Sequence, residues 1–196
     1  MTRFVGLTGG IAAGKSEALA AFERLGAATL STDRVAHDLL DDPKVKAALV
    51  ERWGDEVAPN GQVDREKVGE IVFNDRGELA WLESVTHPRV GAHVIEWRES
   101  IDPGVEVAVV EVPLLFEAAM EDAFDTTVAV VADDELREAR LRQRGQGGLE
   151  GREARQLDQA EKARRADHVI RNDSSLVALE SEVRRVIEKL NGGEDR

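Results

Sequence analysis

Gly9-Gly10-Ile11-Ala12-Ala13-Gly14-Lys15-Ser16 is the stretch that decides the fold. It satisfies the pattern G-x-x-x-x-G-K-[ST] in full. Glycines at the two ends let the backbone turn tightly, which brings successive N–H groups onto one concave surface suited to phosphate oxygens. The flanks agree with this reading. Phe4-Val5-Gly6-Leu7 is a strand-like run in front of the loop. Behind it Ala18, Leu19, Phe22 and Leu25 recur at helical spacing, so a helix from about Lys15 to Leu25 adds its N-terminal dipole to the same point. Within this pattern Lys15 reaches the β- and γ-phosphates of a nucleoside triphosphate, and the Ser16 hydroxyl is placed to ligate Mg²⁺. Gly9, Gly10, Ile11, Ala12, Ala13, Gly14, Lys15, Ser16 and Glu17 are the expected ATP-binding residues.

Outward from the loop, apolar strand-like runs alternate with helical patterns, the mark of a parallel α/β sheet. Ala27 to Leu30 reads as a second strand, Val105 to Val112 as a third, Thr126 to Ala132 as a fourth and His168-Val169-Ile170 as a brief fifth. Helices are expected over Asp33–Leu40, Asp134–Arg144, Gly151–Ala166 and Ser174–Leu190. Pro43 to Ser100 is helical in pattern without a convincing strand, and Gly145-Gln146-Gly147-Gly148 breaks the chain. The expectation is one domain over 1–196. A core of about 1–40, 101–136 and 167–196 would be interrupted by a helical insertion at about 41–100 and a lid at about 137–166.

Composition narrows the partners. The 196 residues carry a net charge of −13, so a nucleic-acid backbone would meet repulsion over most of the surface. No apolar run approaches the ~18 residues needed to span a bilayer, and no signal region precedes the first strand. Cysteine is absent, which removes disulfides, thiolate metal sites and cysteine nucleophiles. The cytoplasm is the default compartment. The acidity is uneven: from Arg137 to Arg165 nine basic side chains accompany five acidic ones, a net of +4. A solvated helix pair explains such an island, and so does a segment that handles a small anion. Arg140 and Arg144 lie four apart on one helix face before the glycines, as expected of a lid that brings cations to a transferred phosphoryl group.

A phosphate loop by itself does not separate kinase, switch and motor. No guanine-reading N-K-x-D tetrapeptide occurs. Glu111, near the end of the third strand, could hold a metal or a hydrolytic water, or face solvent. Asp33 lies just past the second strand, at the carboxyl edge where open α/β sheets bind ligands. There it serves as catalytic base, as N-cap of the next helix, or as both.

The combined residues resemble the dephospho-coenzyme A kinase family. Leu7-Thr8-Gly9-Gly10-Ile11 with Gly14-Lys15-Ser16 is similar to the family's opening, and Thr32-Asp33 stands where the family carries a D-A-D-like stretch. His87-Pro88 and Pro113-Leu114-Leu115-Phe116-Glu117 match further family runs. The ending matches through Arg152, Gln156, Lys162, Ala166-Asp167, Val169-Ile170 and Asn172. The resemblance implies a three-layer kinase core with a five-stranded parallel sheet, a helical region for coenzyme A and a helical lid. It further implies attack of the ribose 3′-hydroxyl of dephospho-CoA on the γ-phosphoryl group of MgATP, the last step of coenzyme A synthesis. Asp33 would then be the base, Lys15 and Arg140 would stabilise transferred charge, and Arg65, His87 and Arg144 would touch substrate or lid. The partners would be ATP and dephospho-CoA, with the chain a monomer or weak homo-oligomer. Four places depart from the family: Ser31 for an acid, Ala12-Ala13 for Gly-Ser, Glu17 for Thr, and a glycine-rich stretch from Gly145 to Gly151. Two other readings stay open from the residues alone: another small-molecule or nucleotide kinase on this core, and a regulator that binds ATP without transferring phosphate.

Overall fold

A computed structural model describes residues 1–143 and 156–192. Five strands form one parallel sheet, β1 (Arg3–Gly9), β2 (Ala28–Ser31), β3 (Val107–Glu111), β4 (Thr126–Val131) and β5 (His168–Arg171), in the order β2-β3-β1-β4-β5. Eight helices are described: α1 (Lys15–Arg24), α2 (Thr32–Leu39), α3 (Pro43–Trp53), α4 (Arg65–Asn74), α5 (Arg76–Ser100), α6 (Asp134–Gln143), α7 (Gln159–Arg165) and α8 (Leu176–Asn191). The five expected strands are all present. The expected helix from Gly151 begins, among the described residues, only at Gln159, because Asp158 caps it by accepting from the Glu161 N–H. Arg144, the Gly145–Gly151 stretch, Arg152 and the end of the tail lie outside the described residues.

The residues divide into two compact units, one of 1–31 and 100–196, the other of 32–99. In the first, β1, β3 and β4 are buried along nearly their whole length, as parallel strands covered on both faces must be. β1 is central: Val5 pairs with Val109 on one side and with Thr126 on the other. Its carboxyl end is therefore where the sheet changes winding direction, the place at which open sheets hold ligands. One apolar cluster joins Val5, Leu7, Val109, Val128, Val130 and Ile170 to Ala18, Ala21 and Phe22 of α1 and to Leu179, Val183, Val186 and Leu190 of α8. Those helical positions recur at three- and four-residue intervals, which is why the two helices turn these faces to the sheet.

The second unit is helical, as its strandless sequence leads one to expect. Asp42 and Asp64 cap α3 and α4 by accepting backbone N–H groups, and Pro43 occupies the first turn of α3 without losing a bond. Leu40 packs with Val45, Leu49, Val57, Val63 and Val68. Leu40, just past α2, is thus a core residue of this unit. Trp53 and Trp81 meet edge to face at 5.0 Å, and Trp53 donates its indole N–H to Glu78 at 2.8 Å.

Candidate active site

Residues 9–16 join β1 directly to α1. Two of the loop's glycines are required by geometry. A Cβ on Gly9 would lie 2.3 Å from the carbonyl oxygen of Val130, and one on Gly14 would lie 2.1 Å from the Asn172 amide nitrogen. Gly14 also has φ +96°, the left-handed region that glycine enters freely. Ala12 has φ +58° without that freedom, at a cost of about 1–2 kcal/mol.

The loop is held from behind through its carbonyl groups. Arg137 of α6 donates from Nε to Ile11 O at 3.0 Å. Arg140, one turn on, donates from Nη1 to Ala12 O and Ala13 O at 3.3 and 3.4 Å, and from Nη2 to Asn172 O at 3.0 Å. The buried Asn172 side chain, just past β5, donates to Ala13 O at 2.9 Å. In a planar trans peptide the N–H lies opposite the C=O. Carbonyls drawn toward the arginines therefore turn the N–H groups of Ala12 and Gly14 to the other side, as an anion-binding loop requires. Lys15 folds over the loop with Nζ 3.2 Å from both Gly9 O and Gly10 O. Ser16 and Glu17 are exposed in the first turn of α1. A cavity of about 390 Å³ adjoins the loop, lined by Gly10, Ile11, Asp134, Arg137 and residues 156–160.

Beneath the loop lies a buried ion pair that motif reading had left without a role. Lys162 of α7 is fully buried and pairs with Glu117 Oε1 at 3.0 Å. Its ammonium also donates to Pro113 O at 2.6 Å and to Thr8 Oγ1 at 3.4 Å. Burial lowers the Lys162 pKa from the ordinary lysine value, and the hydrogen bond and charge of Glu117 oppose that shift. Glu117 Oε1 further accepts the Leu157 N–H at 2.8 Å. Gln159 binds both backbone groups of Ala132 and the Asp134 carboxylate. The described parts of the expected lid, 137–143 and 156–166, thus make polar contacts with the phosphate loop, with Glu117 and with Ala132 at the end of β4.

Other residues expected from sequence fall as follows. Thr32 opens α2 and Asp33 lies inside its first turn, exposed, so Asp33 is not the helix's N-cap. Glu111 is 5% exposed and pairs in register with Leu7 and Ser31, which overturns the solvent-facing reading. A central strand between two parallel neighbours has no wet face there. In the helical unit, Arg65 opens α4 and pairs with Asp41 at 3.1 Å. His87 is exposed in the middle of α5, which runs on through Pro88. The loop, Lys15, Ser16 and Arg140 come together in the sheet unit, while Asp33, Arg65 and His87 belong to the helical one.

Comparison with known proteins decides the family. The dephospho-CoA kinase family model matches residues 3–178. The chain belongs to the dephospho-CoA kinase family. A dephospho-CoA kinase from Symbiobacterium thermophilum is 38% identical over 202 residues, covering 98% of this chain and 83% of the relative. Among solved structures, a Thermus thermophilus protein is 31% identical with a TM-score of 0.79, covering 96% of this chain and 98% of that one. The dephospho-CoA kinase from Campylobacter jejuni is 29% identical with a TM-score of 0.68, covering 96% and 97%. Family membership fixes the architecture as a three-layer α/β P-loop kinase core. No described helix is long and apolar enough to cross a membrane.

Proposed function

We propose that this chain transfers the γ-phosphoryl group of ATP to the ribose 3′-hydroxyl of dephospho-CoA, giving CoA and ADP, the last step of coenzyme A synthesis, in the cytoplasm. The observation that carries the proposal is the phosphate loop, with carbonyls drawn back and N–H groups turned outward at the winding switch of the sheet, in a chain of this family. Lys15 moves its ammonium from the loop carbonyls to the β- and γ-phosphates. Asp33, two residues past the carboxyl end of β2, takes the proton of the attacking hydroxyl. Arg140 contributes as an anchor and fixed positive charge behind the loop, since its guanidinium is engaged by the carbonyls of Ala12, Ala13 and Asn172. This replaces the direct contact with the phosphoryl oxygens that its sequence position alone implies. Arg65, His87 and Arg144 keep their expected role of touching substrate or lid.

Mg²⁺ fits the residues present. The Ser16 hydroxyl is a hard oxygen donor exposed beside the loop. Among the described residues no group of three His, Asp or Glu side chains competes for the ion. Such an ion is held chiefly by nucleotide oxygens and water. When bound it neutralises charge developing on the β- and γ-oxygens. Turnover of MgATP with dephospho-CoA, compared with shikimate, AMP and adenosine, tests the assignment. Turnover confined to dephospho-CoA is expected, and turnover only with another acceptor would keep the kinase and discard the acceptor.

A further inference from the structure

We propose that Arg137 and Asn172 are positioning residues which, with Arg140, hold the phosphate loop in its anion-binding shape before nucleotide arrives, against the strain of a left-handed Ala12. Three consecutive loop carbonyls, Ile11, Ala12 and Ala13, are held by side chains 126–159 residues away in sequence. The middle one belongs to the residue at φ +58°. A non-glycine residue persists in that region only where its surroundings over-determine it, and the three side chains supply that determination. Arg137 is itself fixed: its Nη1 lies 2.7 Å from Asp134 Oδ1, which also accepts from Gln159 Nε2 at 3.0 Å. Gln159 in turn is bound to both backbone groups of Ala132. The brace therefore runs from the end of β4 through α6 and α7 to the back of the loop. Asn172 joins it at the Ala13 carbonyl that Arg140 also holds, where only a glycine at position 14 leaves room for its amide.

The inference rests on the loop binding phosphate and not on the identity of the acceptor. It is tested by calorimetric titration of MgATP into the full chain without acceptor, alongside steady-state kinetics. Arg137→Met should weaken MgATP binding about ten-fold, as expected for loss of one charge-assisted hydrogen bond, with kcat at saturation within about two-fold. Arg137→Lys should restore most of the affinity. In an Ala12→Gly background, glycine takes the positive φ without cost, so Arg137→Met should lose only about two-fold. Equal losses in both backgrounds, or unchanged MgATP affinity in Arg137→Met, would overturn the proposal. Arg137→Gln repeats the comparison should the methionine variant lose its fold by circular dichroism. A wild-type chain that bound no MgATP would overturn the kinase reading and the brace together.

Discussion

Removing the ammonium of Lys162 perturbs a buried polar cluster of the first unit. The side chain is fully buried and makes contacts at 3.0, 2.6 and 3.4 Å to Glu117, Pro113 and Thr8. Lys162→Met keeps much of the volume but leaves the largely buried Glu117 carboxylate, among the described residues, with the Leu157 N–H as its remaining partner. Breaking a buried pair from one side costs about 3–5 kcal/mol. For a chain of this size each kcal/mol shifts Tm by about 2–4 °C, so a fall of roughly 6–20 °C is expected. Glu117→Gln in the same chain removes the stranded charge and keeps an acceptor for Leu157. The double variant should therefore recover about half of the loss or more. Urea denaturation of wild type, both single variants and the double closes the cycle. A Lys162→Met variant within about 1 kcal/mol of wild type, or a double variant no better than the single, would refute the reasoning. The pH dependence adds a check of sign. The folded state holds the Lys162 proton less tightly than the unfolded chain, so this residue makes stability rise with pH between its folded value and 10.5. That rise should be missing from Lys162→Met.

Further outcomes follow from the same geometry. Asp33→Asn should lower kcat by a factor of about 10²–10⁴, as expected for loss of a general base, while MgATP affinity by calorimetry changes less than about two-fold; a matching loss of affinity would assign Asp33 to nucleotide binding. Gly14→Ala meets both the 2.1 Å approach of Asn172 and φ +96°, so its MgATP titration should show no measurable binding, and wild-type affinity would contradict the loop geometry. Burial would raise the Asp167 carboxyl pKa. The Thr127 N–H and the Thr127 and Thr126 hydroxyls outweigh that and hold it below the usual carboxylate range. Its stabilising contribution is complete above the unfolded value near 4, and is lost as pH falls through the folded value. Acid denaturation of Asp167→Asn should accordingly lack part of the wild-type slope.

Much of the fold was legible because its signals are local. β1, β3 and β4 announce themselves as apolar runs, and Gly9 to Ser16 carries the loop's chemistry within eight consecutive residues. What sequence alone left open depends on distant neighbours. Glu111 reads equally as a ligand for metal or water and as a strand end facing solvent until β1 and β2 are found on either side of it. Leu40 reads as the end of the core until it is seen to pack with Val45 and Leu49. Arg140 reads as a cation for phosphate, and Arg137 as one charge among many, because the carbonyls they hold lie about 126 residues earlier. Lys162 was visible only as part of a family pattern; its full burial, and the Glu117 that balances it, required the sheet. Ala12 was visible as a departure from the family's Gly-Ser, but the left-handed conformation that makes the departure costly was not.

The central claim concerns which oxygen receives the phosphoryl group. The product of MgATP and dephospho-CoA should be weighed by mass spectrometry and its phosphorus located by two-dimensional proton–phosphorus NMR. A product heavier by one phosphoryl group, with that phosphorus coupled to the ribose 3′ proton, is the predicted result. Phosphorus coupled to the 2′ proton or to the pantetheine arm, or ADP released with dephospho-CoA unchanged, would contradict the account.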